Sequence, residues 1–527
     1  MTLVENIYIL SLAAAATSLI LYRLFCAVCL WTTLPITRFG NRSIRHILLG
    51  YLVYPRVPVR ILAIDTLSPL RIIFLTLFFA GTAVCNFIFV DGPSEASRRA
   101  AQISLALLIP LFLSGSREFP ARLLGISLET YGLMHRVIGF VSVVEATAHV
   151  VIVSRNIKFD SSNPTHFNGL LGGCMLLSLL LLPMIKRRVY EVFLLQHLGC
   201  AITGFIATWK HTQPTSATAR WCFISCTAAF LLTSVLQLMR IVYRNSVLGR
   251  KSVIMTVKPH AEDILHITLS LPRPWTVRAG ERVNLIVPSL GLFYFFQTHP
   301  FTITWWEEDS DGSALSISLM FRARTGFTRK VYNCMANPDR DYWAWIDGPF
   351  GPSIVQEYGS LRDVGHYGHL LMVTSGIGIA AQLPYVKELI QRRHRAEVRT
   401  QSITLVWRLD RAGDWEGARN WLQQLVQQDN GYMLRVIVYD PLGGNSVGVG
   451  EHKLINFMGG EVDWDDVLLS EKTNQRGRLL VTVSAQRHIR RKMQKLVREN
   501  IQHNIELFEL EFQPWREGRD WWSFLTP

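Results

Sequence analysis

Four histidines lie in two strongly apolar stretches of the sequence with the same spacing. His135 precedes His149 by 14 residues, and His197 precedes His211 by 14 residues. In an α-helix this spacing returns to nearly the same face and separates the two rings by about 21 Å along the axis. A neutral imidazole is a natural axial ligand for haem iron. Two such helices side by side could bind two haems, one through His135 and His197 and the other through His149 and His211.

A single histidine in a membrane helix is more often a packing or hydrogen-bonding residue than a metal ligand. Polar groups are costly in lipid, however, so four histidines at two matched depths call for a common cause. The pattern predicts two b-type haems and electron transfer across a membrane. Glu145 lies one helical turn before His149. It could hydrogen-bond close to the outer haem or simply face a polar helix neighbour.

Seven apolar runs must position these residues. They lie at 7–30, 71–90, 101–114, 131–153, 168–185, 190–209 and 220–241. The first is too long for the core of a signal peptide, so we expect a membrane helix there. The third is short for about 30 Å of hydrocarbon, which leaves its ends poorly defined by the sequence.

The formal net charge of +14 is explained by where the basic residues lie. They cluster beside the apolar runs, at Arg38, Arg42, Arg45, Arg56, Arg60, Lys186, Arg187, Arg188, Arg240, Arg244, Arg250 and Lys251. Because such residues concentrate on the cytosolic side of membrane proteins, we expect an outer N-terminus and a cytosolic C-terminal half. His135 and His197 then lie near the cytosolic face, with His149 and His211 near the outer one. Nucleic acid is not an expected partner.

Beyond residue 250 the sequence alternates like that of a soluble protein. Six short strands, typical of a small antiparallel barrel, are predicted at Ser252–Val257, Leu265–Leu271, Arg282–Val287, Phe301–Thr304, Leu315–Ala323 and Trp343–Ile346. Strands and helices then alternate, apart from an irregular stretch near 441–477. The predicted strands are His369–Thr374, Ile403–Arg408, Tyr432–Tyr439, Leu479–Ser484 and Ile505–Phe512, and the predicted helices are Ile379–Arg393, Glu416–Gln428 and Gln486–Glu499. That order predicts a parallel, Rossmann-like sheet with nucleotide at the carboxyl ends of its strands.

Three short motifs in the barrel region suit a flavin. His299-Pro300-Phe301-Thr302 opens a strand whose extended backbone could hydrogen-bond the edge of a flat ring, with the Thr302 hydroxyl beside its hydride-accepting atom. Gly326-Phe327-Thr328-Arg329 would let backbone amides, a hydroxyl and a charge approach the flavin diphosphate. Gly348-Pro349-Phe350-Gly351 ends the barrel. We therefore expect bound FAD.

A glycine-containing turn follows the first strand of the nucleotide domain. Thr374-Ser375-Gly376-Ile377-Gly378-Ile379 lies between a strand and a helix, where Ser375, Gly376 and Gly378 could bring pyrophosphate to a helix N-terminus. Arg408 and Arg411 follow the second strand, where a 2′-phosphate would lie. This placement favours NADPH over NADH, although both arginines could instead be solvated surface charges.

Together these features predict a multidomain membrane protein. An all-α transmembrane haem-binding helix bundle is followed by a cytosolic FAD-binding antiparallel β-barrel and an α/β Rossmann-like NADP-binding domain. The expected bounds are 1–70 for an N-terminal helix and basic loop, 71–245 for the bis-haem bundle, 250–360 for the barrel and 365–527 for the nucleotide domain.

The order of these motifs resembles the ferric reductase transmembrane family, in particular the fungal plasma-membrane ferric-chelate reductases. The segment Leu123-Leu124-Gly125-Ile126-Ser127 leads to His135-Arg136-Val137-Ile138-Gly139, as in the family's approach to its first haem helix. The resemblance runs from about residue 70 to the end of the chain. It implies oxidation of NADPH at a cytosolic FAD, single-electron transfer through two haems, and reduction of ferric, often also cupric, chelates outside. It also implies iron uptake and the plasma membrane, while the sequence leaves a vacuolar or other endomembrane open. A ferroxidase and iron permease system is a candidate partner.

The sequence departs from the family pattern after the last strands of the nucleotide domain. The family usually has Cys-Gly-Pro there, whereas this chain has Val483-Ser484-Ala485-Gln486-Arg487, so Ser484 stands at the position of the family Cys. The family tends to end near an aromatic residue that covers the flavin. Phe512 and Trp515 look equivalent, but a further tail runs to Pro527.

Two other functions share these modules. A superoxide-producing NADPH oxidase belongs to the same superfamily, but as the resemblance implies, its second histidine pair is usually one residue closer than its first, whereas both pairs here are 14 residues apart. A degenerate member could keep haem and lose nucleotide turnover, which the missing Cys-Gly-Pro favours and the intact flavin and nucleotide motifs oppose. Arg155, Lys210 and Arg220, predicted on the outer side, could attract anionic iron chelates.

Overall fold

The computed structural model describes residues 46–514 apart from 62–63, 114–117, 119, 122–125, 183–189, 213–216, 247–251, 292–293, 295–296, 338, 352–363, 430–431, 444–446, 450–453, 476 and 511. The described residues divide into two compact units. The first comprises 56–239, and the second comprises 46–55, 240–351 and 364–514. The predicted first span at 7–30 and Trp515 lie outside the described residues.

The first unit is built from helices, with one short antiparallel strand pair, Val57–Ile61 (β1) and Ile64–Leu67 (β2), before them. Among the described residues its helices are Pro69–Phe87 (α1), Pro93–Leu111 (α2), Leu128–Asn156 (α3), Pro164–Leu181 (α4), Tyr190–Thr212 (α5) and Ala217–Asn245 (α6), the last turns of which belong to the second unit. Five of them, all except α2, are long and apolar enough to cross a membrane.

The predicted third span at 101–114 corresponds to α2, but the prediction was wrong about its start and its character. The helix begins at Pro93, and its first turns carry Glu95, Arg98 and Arg99, which lower its mean hydropathy. Arg99 is only 1% exposed. Its guanidinium bonds to Glu95 and to the carbonyls of Cys85 and Phe89. These bonds compensate the buried charge and allow a polar turn to pack inside the first unit.

Polar caps and small residues shape the first unit. Ser68, Ser127 and Asn163 cap α1, α3 and α4 by accepting backbone N–H bonds from the first turn. Helices α4 and α5 approach closely, because a Cβ added at Gly172 would lie 2.7 Å from Thr208 Oγ1 and one added at Gly204 would lie 3.1 Å from Met175 Cβ. Small residues at such contacts let membrane helices pack through their backbones.

The second unit begins with an antiparallel barrel-like sheet. Its described strands are Ile254–Pro259 (β3), Ile264–Trp275 (β4), Arg282–Ile286 (β5), His299–Glu308 (β6), Ala314–Arg322 (β7), Tyr342–Trp343 (β8) and Trp345–Phe350 (β9). They are arranged in the order β8-β3-β4-β7-β6-β5-β9. The sequence predicted six strands. The structure divides the last predicted strand into β8 and β9, which are separated by the buried Ala344.

A parallel sheet forms the nucleotide domain. Its described strands are His369–Ser375 (β10), Ser402–Arg408 (β11), Leu434–Asp440 (β12), Val447–Val449 (β13), Ile455–Gly459 (β14), Leu479–Ser484 (β15) and Ile505–Glu509 (β16). They are arranged in the order β13-β14-β12-β11-β10-β15-β16, and all but β13 run parallel. The helices of this unit are Phe327–Met335 (α7), Ile379–His394 (α8), Asp414–Gln428 (α9), Trp464–Asn474 (α10) and Arg487–Glu499 (α11). Its buried core includes Leu371, Val373 and Trp407, which are unexposed.

The stretch near 441–477 is more regular than its glycines indicated. It contains β13, β14 and α10. Asp463 caps the N-terminus of α10, because its side chain accepts bonds from the backbone N–H groups of Asp465 and Asp466. The short π-helix Leu48–Val53 also belongs to this unit. The hydroxyl of Tyr54 just after it accepts a 3.0 Å bond from Leu507 N.

The barrel and the nucleotide domain share a buried contact within the second unit. Lys387 on α8 lies 4.2 Å from the ring centre of Trp305 and 4.6 Å from that of Trp306, and it donates to the Trp306 carbonyl. Arg322 on β7 forms a buried ion pair with Asp414, the first residue of α9. Lys387 and Arg322 therefore each connect the barrel to the nucleotide domain.

Candidate redox centre

The first unit brings the four predicted histidines together as two pairs. The ring centres of His135 on α3 and His197 on α5 are 6.2 Å apart, and those of His149 and His211 on the same helices are 6.3 Å apart. Two imidazoles that bind one metal from opposite sides have ring centres about 6.2 Å apart, since each metal–nitrogen bond is about 2.0 Å and each nitrogen lies about 1.1 Å from its ring centre. Both separations fit a haem iron between the rings.

Hydrogen bonds orient the rings of the second pair. His149 Nδ1 lies 2.9 Å from Ser97 Oγ and 3.0 Å from the Ser97 carbonyl on α2, and His211 Nδ1 lies 2.8 Å from the Thr165 carbonyl on α4. A carbonyl partner requires the proton on Nδ1, which leaves the Nε2 lone pair for a metal. Sequence reasoning did not identify Ser97, because this residue lies in the polar first turns of α2, before the apolar run that was predicted to begin at residue 101.

A glycine leaves open space one turn before His135. A Cβ added at Gly132 would meet no atom within 4 Å outside the backbone of its own helix. A flat macrocycle needs such open space beside its axial ligands. Glu145, in contrast, is 7% exposed and accepts a 2.6 Å bond from Asn86 Nδ2 on α1. In the structure the Glu145 carboxylate therefore contacts a polar side chain on a neighbouring helix.

Two of the three predicted flavin motifs of the barrel meet face to face. His299 at the start of β6 stacks on Phe327 at the start of α7, with ring centres 3.7 Å apart and planes 13° apart. Burial lowers the pKa of His299 to about 4, so the ring is neutral at cytosolic pH. Pro300, Phe301 and Thr302 continue β6 opposite β5.

Buried polar atoms around this motif lack hydrogen-bond partners within the described protein. They are both amide atoms of Gln297, Asn284 Nδ2 and His299 Nε2. Buried polar groups are nearly always paired, so this cluster indicates a polar ligand. The edge of a flavin ring, with its carbonyl and N–H groups, fits that set. Sequence reasoning missed Gln297 and Asn284, although Gln297 lies only two residues before His299 and Asn284 pairs with Pro300.

The remaining residues of the Gly326–Arg329 motif flank Phe327, and one of them differs from expectation. Gly326 precedes α7 with φ +63°, and Thr328 Oγ1 accepts a bond from Arg324 N. Arg329, expected to add charge toward a diphosphate, instead forms a bidentate pair with Asp263 at 3.0 and 2.9 Å.

The Gly348-Pro349-Phe350-Gly351 turn packs against Arg282, which lies opposite Thr302 in the sheet. A Cβ at Gly348 would lie 3.2 Å from the Arg282 carbonyl, and one at Gly351 would lie 2.9 Å from its Nη1.

The glycines of the nucleotide turn are required by close approaches. A Cβ at Gly376, where φ is +48°, would lie 2.2 Å from Asp410 Oδ2, and one at Gly378 would lie 2.1 Å from the Ser484 carbonyl. Ser375 is buried, and its hydroxyl accepts a bond from Gln486 N. The turn therefore packs against the ends of β11 and β15, where a parallel sheet binds its ligand.

A cavity of about 460 Å³ opens beside this turn. Its lining comes from the barrel and from the nucleotide domain, and includes Arg322, Arg324, Ile377, Arg408, Asp410 and Glu461. Arg408 is already paired, with Nε 2.7 Å and Nη2 2.5 Å from Glu461 and Nη1 3.1 Å from Asp410. Arg411 lies 3.1 Å from Glu262. Both predicted phosphate-binding arginines thus face carboxylates in this structure.

Ser484, at the position of the family Cys, is fully buried at the end of β15. Its hydroxyl donates a 2.8 Å bond to the Phe512 carbonyl, and its own carbonyl accepts from Thr374 Oγ1 at 3.0 Å. The serine therefore links the segment that follows β16 to the nucleotide turn.

Comparisons with known proteins agree with this arrangement. Residues 100–208 match the "Ferric reductase like transmembrane component", residues 249–354 an "FAD-binding domain", and residues 367–440 the "Ferric reductase NAD binding domain". The predicted resemblance to the ferric reductase transmembrane family is confirmed. The chain is a membrane protein with an apolar helical region, a flavin-binding barrel and a nucleotide-binding α/β domain.

Curated relatives carry the same family name. The chain is 25% identical over 365 residues to a probable cell surface ferric reductase, kap2, of Aspergillus oryzae, covering 64% of this chain and 46% of that protein. It is 24% identical to ferric/cupric reductase transmembrane component 2 of Saccharomyces cerevisiae, covering 61% and 44%. The chain thus aligns with less than half the length of these relatives.

Among solved structures, the chain is similar to the cytochrome P450 reductase GcoB of Amycolatopsis. The two are 16% identical, and the match covers 51% of this chain and 74% of that protein, with a TM-score of 0.33.

Proposed function

We propose that this protein is a transmembrane oxidoreductase that moves electrons from cytosolic NADPH, through FAD and two b-type haems, to ferric or cupric chelates on the outer face of the membrane. The observation that carries the proposal is the pair of ring separations, 6.2 Å for His135 and His197 and 6.3 Å for His149 and His211. Four unrelated packing histidines would not give two equal separations, each suited to one iron.

The residues of the chain would perform three tasks. His135, His149, His197 and His211 would supply the axial nitrogens, and the carbonyls of Ser97 and Thr165 would hold two of the rings in place. His299 to Thr302, with Gln297 and Asn284, would bind the flavin edge. Gly376 and Gly378 would admit a nucleotide to the turn before α8. When bound, FAD converts two-electron donation into single-electron steps and haem iron relays single electrons.

The donor and acceptor follow from the same residues. We assign NADPH as the donor, because Arg408 lies at the end of the second parallel strand, where a 2′-phosphate would be recognised. With histidine on both sides of each iron, the metal would have no open position, so the acceptor would be reduced without binding to it. Ferric and cupric chelates suit such a transfer, and the names of the fungal relatives favour them.

We place the protein in the plasma membrane with its C-terminal half on the cytosolic side, in a role in iron uptake for which a ferroxidase and an iron permease are candidate partners. The basic residues beside its apolar helices and its fungal relatives support this placement.

The decisive experiment uses membranes that contain the full chain. NADPH-driven reduction of a ferric chelate is measured with and without superoxide dismutase, in the wild type and in His135→Ala and His149→Ala. We expect dismutase-insensitive Fe²⁺ production that both variants lose, with flavin content unchanged. His166→Ala is the matched control, since this histidine of α4 stacks on Phe159 and faces no histidine partner.

The same experiment separates the alternatives. Reduction abolished by dismutase would identify oxygen as the acceptor, as in a superoxide-producing oxidase. A bis-histidine haem spectrum without NADPH oxidation would identify a member that has lost nucleotide turnover. Surface reduction that survived His149→Ala would contradict the proposed relay.

A further inference from the structure

Arg408 is already paired with two carboxylates, whereas an arginine that is preorganised to bind phosphate would have its guanidinium free. Two carboxylates occupy all three nitrogens of its guanidinium: Glu461 contacts Nε and Nη2, and Asp410 contacts Nη1. The three side chains together carry one net negative charge. A 2′-phosphate would meet repulsion here unless one carboxylate moved away, whereas a ribose hydroxyl could donate to either carboxylate.

The two carboxylates are not equally free to move. Asp410 follows β11 directly and lies so close to the nucleotide turn that a Cβ at Gly376 would overlap its carboxylate. Its side chain is 16% exposed, against 65% for Glu461. Glu461 lies 53 residues further along the chain, between β14 and α10, and its carboxylate reaches Arg408 from the solvent side of the cavity. An exposed carboxylate on a flexible stem leaves its partner at little cost.

We propose that Glu461 competes with the 2′-phosphate of NADPH for Arg408 and thereby sets how strongly this site prefers NADPH over NADH. In the structure Glu461 pairs with the guanidinium nitrogens Nε and Nη2 of Arg408, which the proposal assigns to the phosphate. NADPH binds by exchanging that carboxylate for its own 2′-phosphate, whereas NADH leaves the pair intact. Glu461 is outside residues 367–440, which match the family's nucleotide domain, so selectivity would be set by a residue beyond that match.

The inference rests on the proposed function, because it takes Arg408 as the contact of the 2′-phosphate. It is tested by equilibrium binding and does not require turnover. Adenosine 2′,5′-bisphosphate and AMP, which differ only in the 2′-phosphate, are titrated into the purified full-length chain by calorimetry. In Glu461→Gln we expect the Kd of the bisphosphate to fall about five-fold, the size of one exposed ion pair, with the Kd of AMP within about two-fold of wild type.

Two controls isolate the mechanism. Asp466→Asn removes the same charge from an exposed position on α10 that does not line the cavity, and it should change neither Kd. In an Arg408→Gln background, Glu461→Gln should no longer strengthen binding of the bisphosphate, since the competition acts through the guanidinium.

The outcomes are distinct. An equal gain for both ligands, or a gain that persists without Arg408, would show a general field effect and overturn the role of Glu461. An unchanged bisphosphate Kd in Glu461→Gln, with both ligands bound by the wild type, would overturn the same role while leaving the donor site intact. Failure of the wild type to bind either ligand would instead refute the donor site itself.

Discussion

Gly169 on α4 lies directly against the imidazole of His211. A Cβ at this glycine would be 2.7 Å from His211 Nδ1 and 2.8 Å from Cε1, and the same Nδ1 bonds to the Thr165 carbonyl one turn earlier on α4. Helix α4 therefore positions the ring through one hydrogen bond and the absence of one side chain. Helix α4, which carries none of the four paired histidines, thus determines where the His211 ring lies.

We expect Gly169→Ala to displace the His211 ring and to remove the haem proposed to bind between His149 and His211, since a contact of 2.7 Å forces the ring or the helix to move. Haem content of the purified protein should fall to about half, as one of two ligand pairs is lost. Surface reduction should fall with it. Gly173→Ala on the same helix is the matched control, because its Cβ would meet nothing closer than Val150 Cγ2 at 3.9 Å. Full haem content in Gly169→Ala would contradict this role.

The stack between His299 and Phe327 provides a second prediction. Phe327→Leu keeps an apolar side chain at a buried position but removes the aromatic face on which His299 lies. Aromatic pairs contribute about 0.5–1.5 kcal/mol, so FAD should bind about two- to ten-fold more weakly. The measurement is the Kd from fluorescence during FAD titration. Met335→Leu, buried at the other end of α7, should leave that Kd unchanged. Unaltered FAD affinity in Phe327→Leu would show that the stack does not organise the flavin site.

Ser484 allows a test of what replaced the family Cys. Ser484 is fully buried and its hydroxyl donates to the carbonyl of the half-buried Phe512, so Ser484→Ala leaves that acceptor without its donor. We expect the free energy of unfolding of the nucleotide domain to fall by about 1–2 kcal/mol, measured by denaturant titration. Ser470→Ala, exposed on α10, should change it by less than about 0.5 kcal/mol. If Ser484→Ala were as stable as wild type, the bond to Phe512 would have no structural weight.

A buried histidine should make the second unit acid-sensitive. Burial, with His260 and Lys258 nearby, lowers the pKa of His266 to about 3, although the Gly417 carbonyl opposes this shift. The ring also stacks on Trp421, with centres 4.3 Å apart. An unfolded imidazole titrates near pH 6.5, so between about pH 6.5 and 3 the unfolded chain binds the extra proton. This contribution to stability is complete above pH 6.5 and is lost as the pH falls toward 3.

The corresponding measurement is the melting temperature, followed by tryptophan fluorescence, at pH 7 and pH 5. His266→Gln should show a smaller fall between these values than wild type, because the titrating group has been removed. His503→Gln, at an exposed position, should keep the wild-type fall. Equal falls in His266→Gln and wild type would assign the acid sensitivity to other groups.

The sequence predicted what depends on local periodicity. The histidine spacing selected the right pairs for the ring separations observed, and apolar alternation located the strands that carry the flavin and nucleotide motifs. It did not predict partners that are distant in sequence. Glu461 reaches Arg408 across 53 residues, and Asp263 reaches Arg329 across 66. The start of α2 was also missed, because its buried Arg99 is compensated by carbonyls that hydropathy does not register.

The ion pair between Arg322 and Asp414 limits which domains of this protein could be exchanged with those of a relative. Asp414 begins α9, and its other carboxylate oxygen accepts bonds from the backbone of Asp410 and Arg411, so the loop that lines the nucleotide cavity is anchored by the carboxylate that faces the barrel. Removing one member of a buried pair commonly costs 3–5 kcal/mol. A chimera that takes its nucleotide domain from a relative would have to inherit a matching arginine on β7 as well. The barrel and the nucleotide domain would therefore have to be exchanged together, although each of them matches a family of its own.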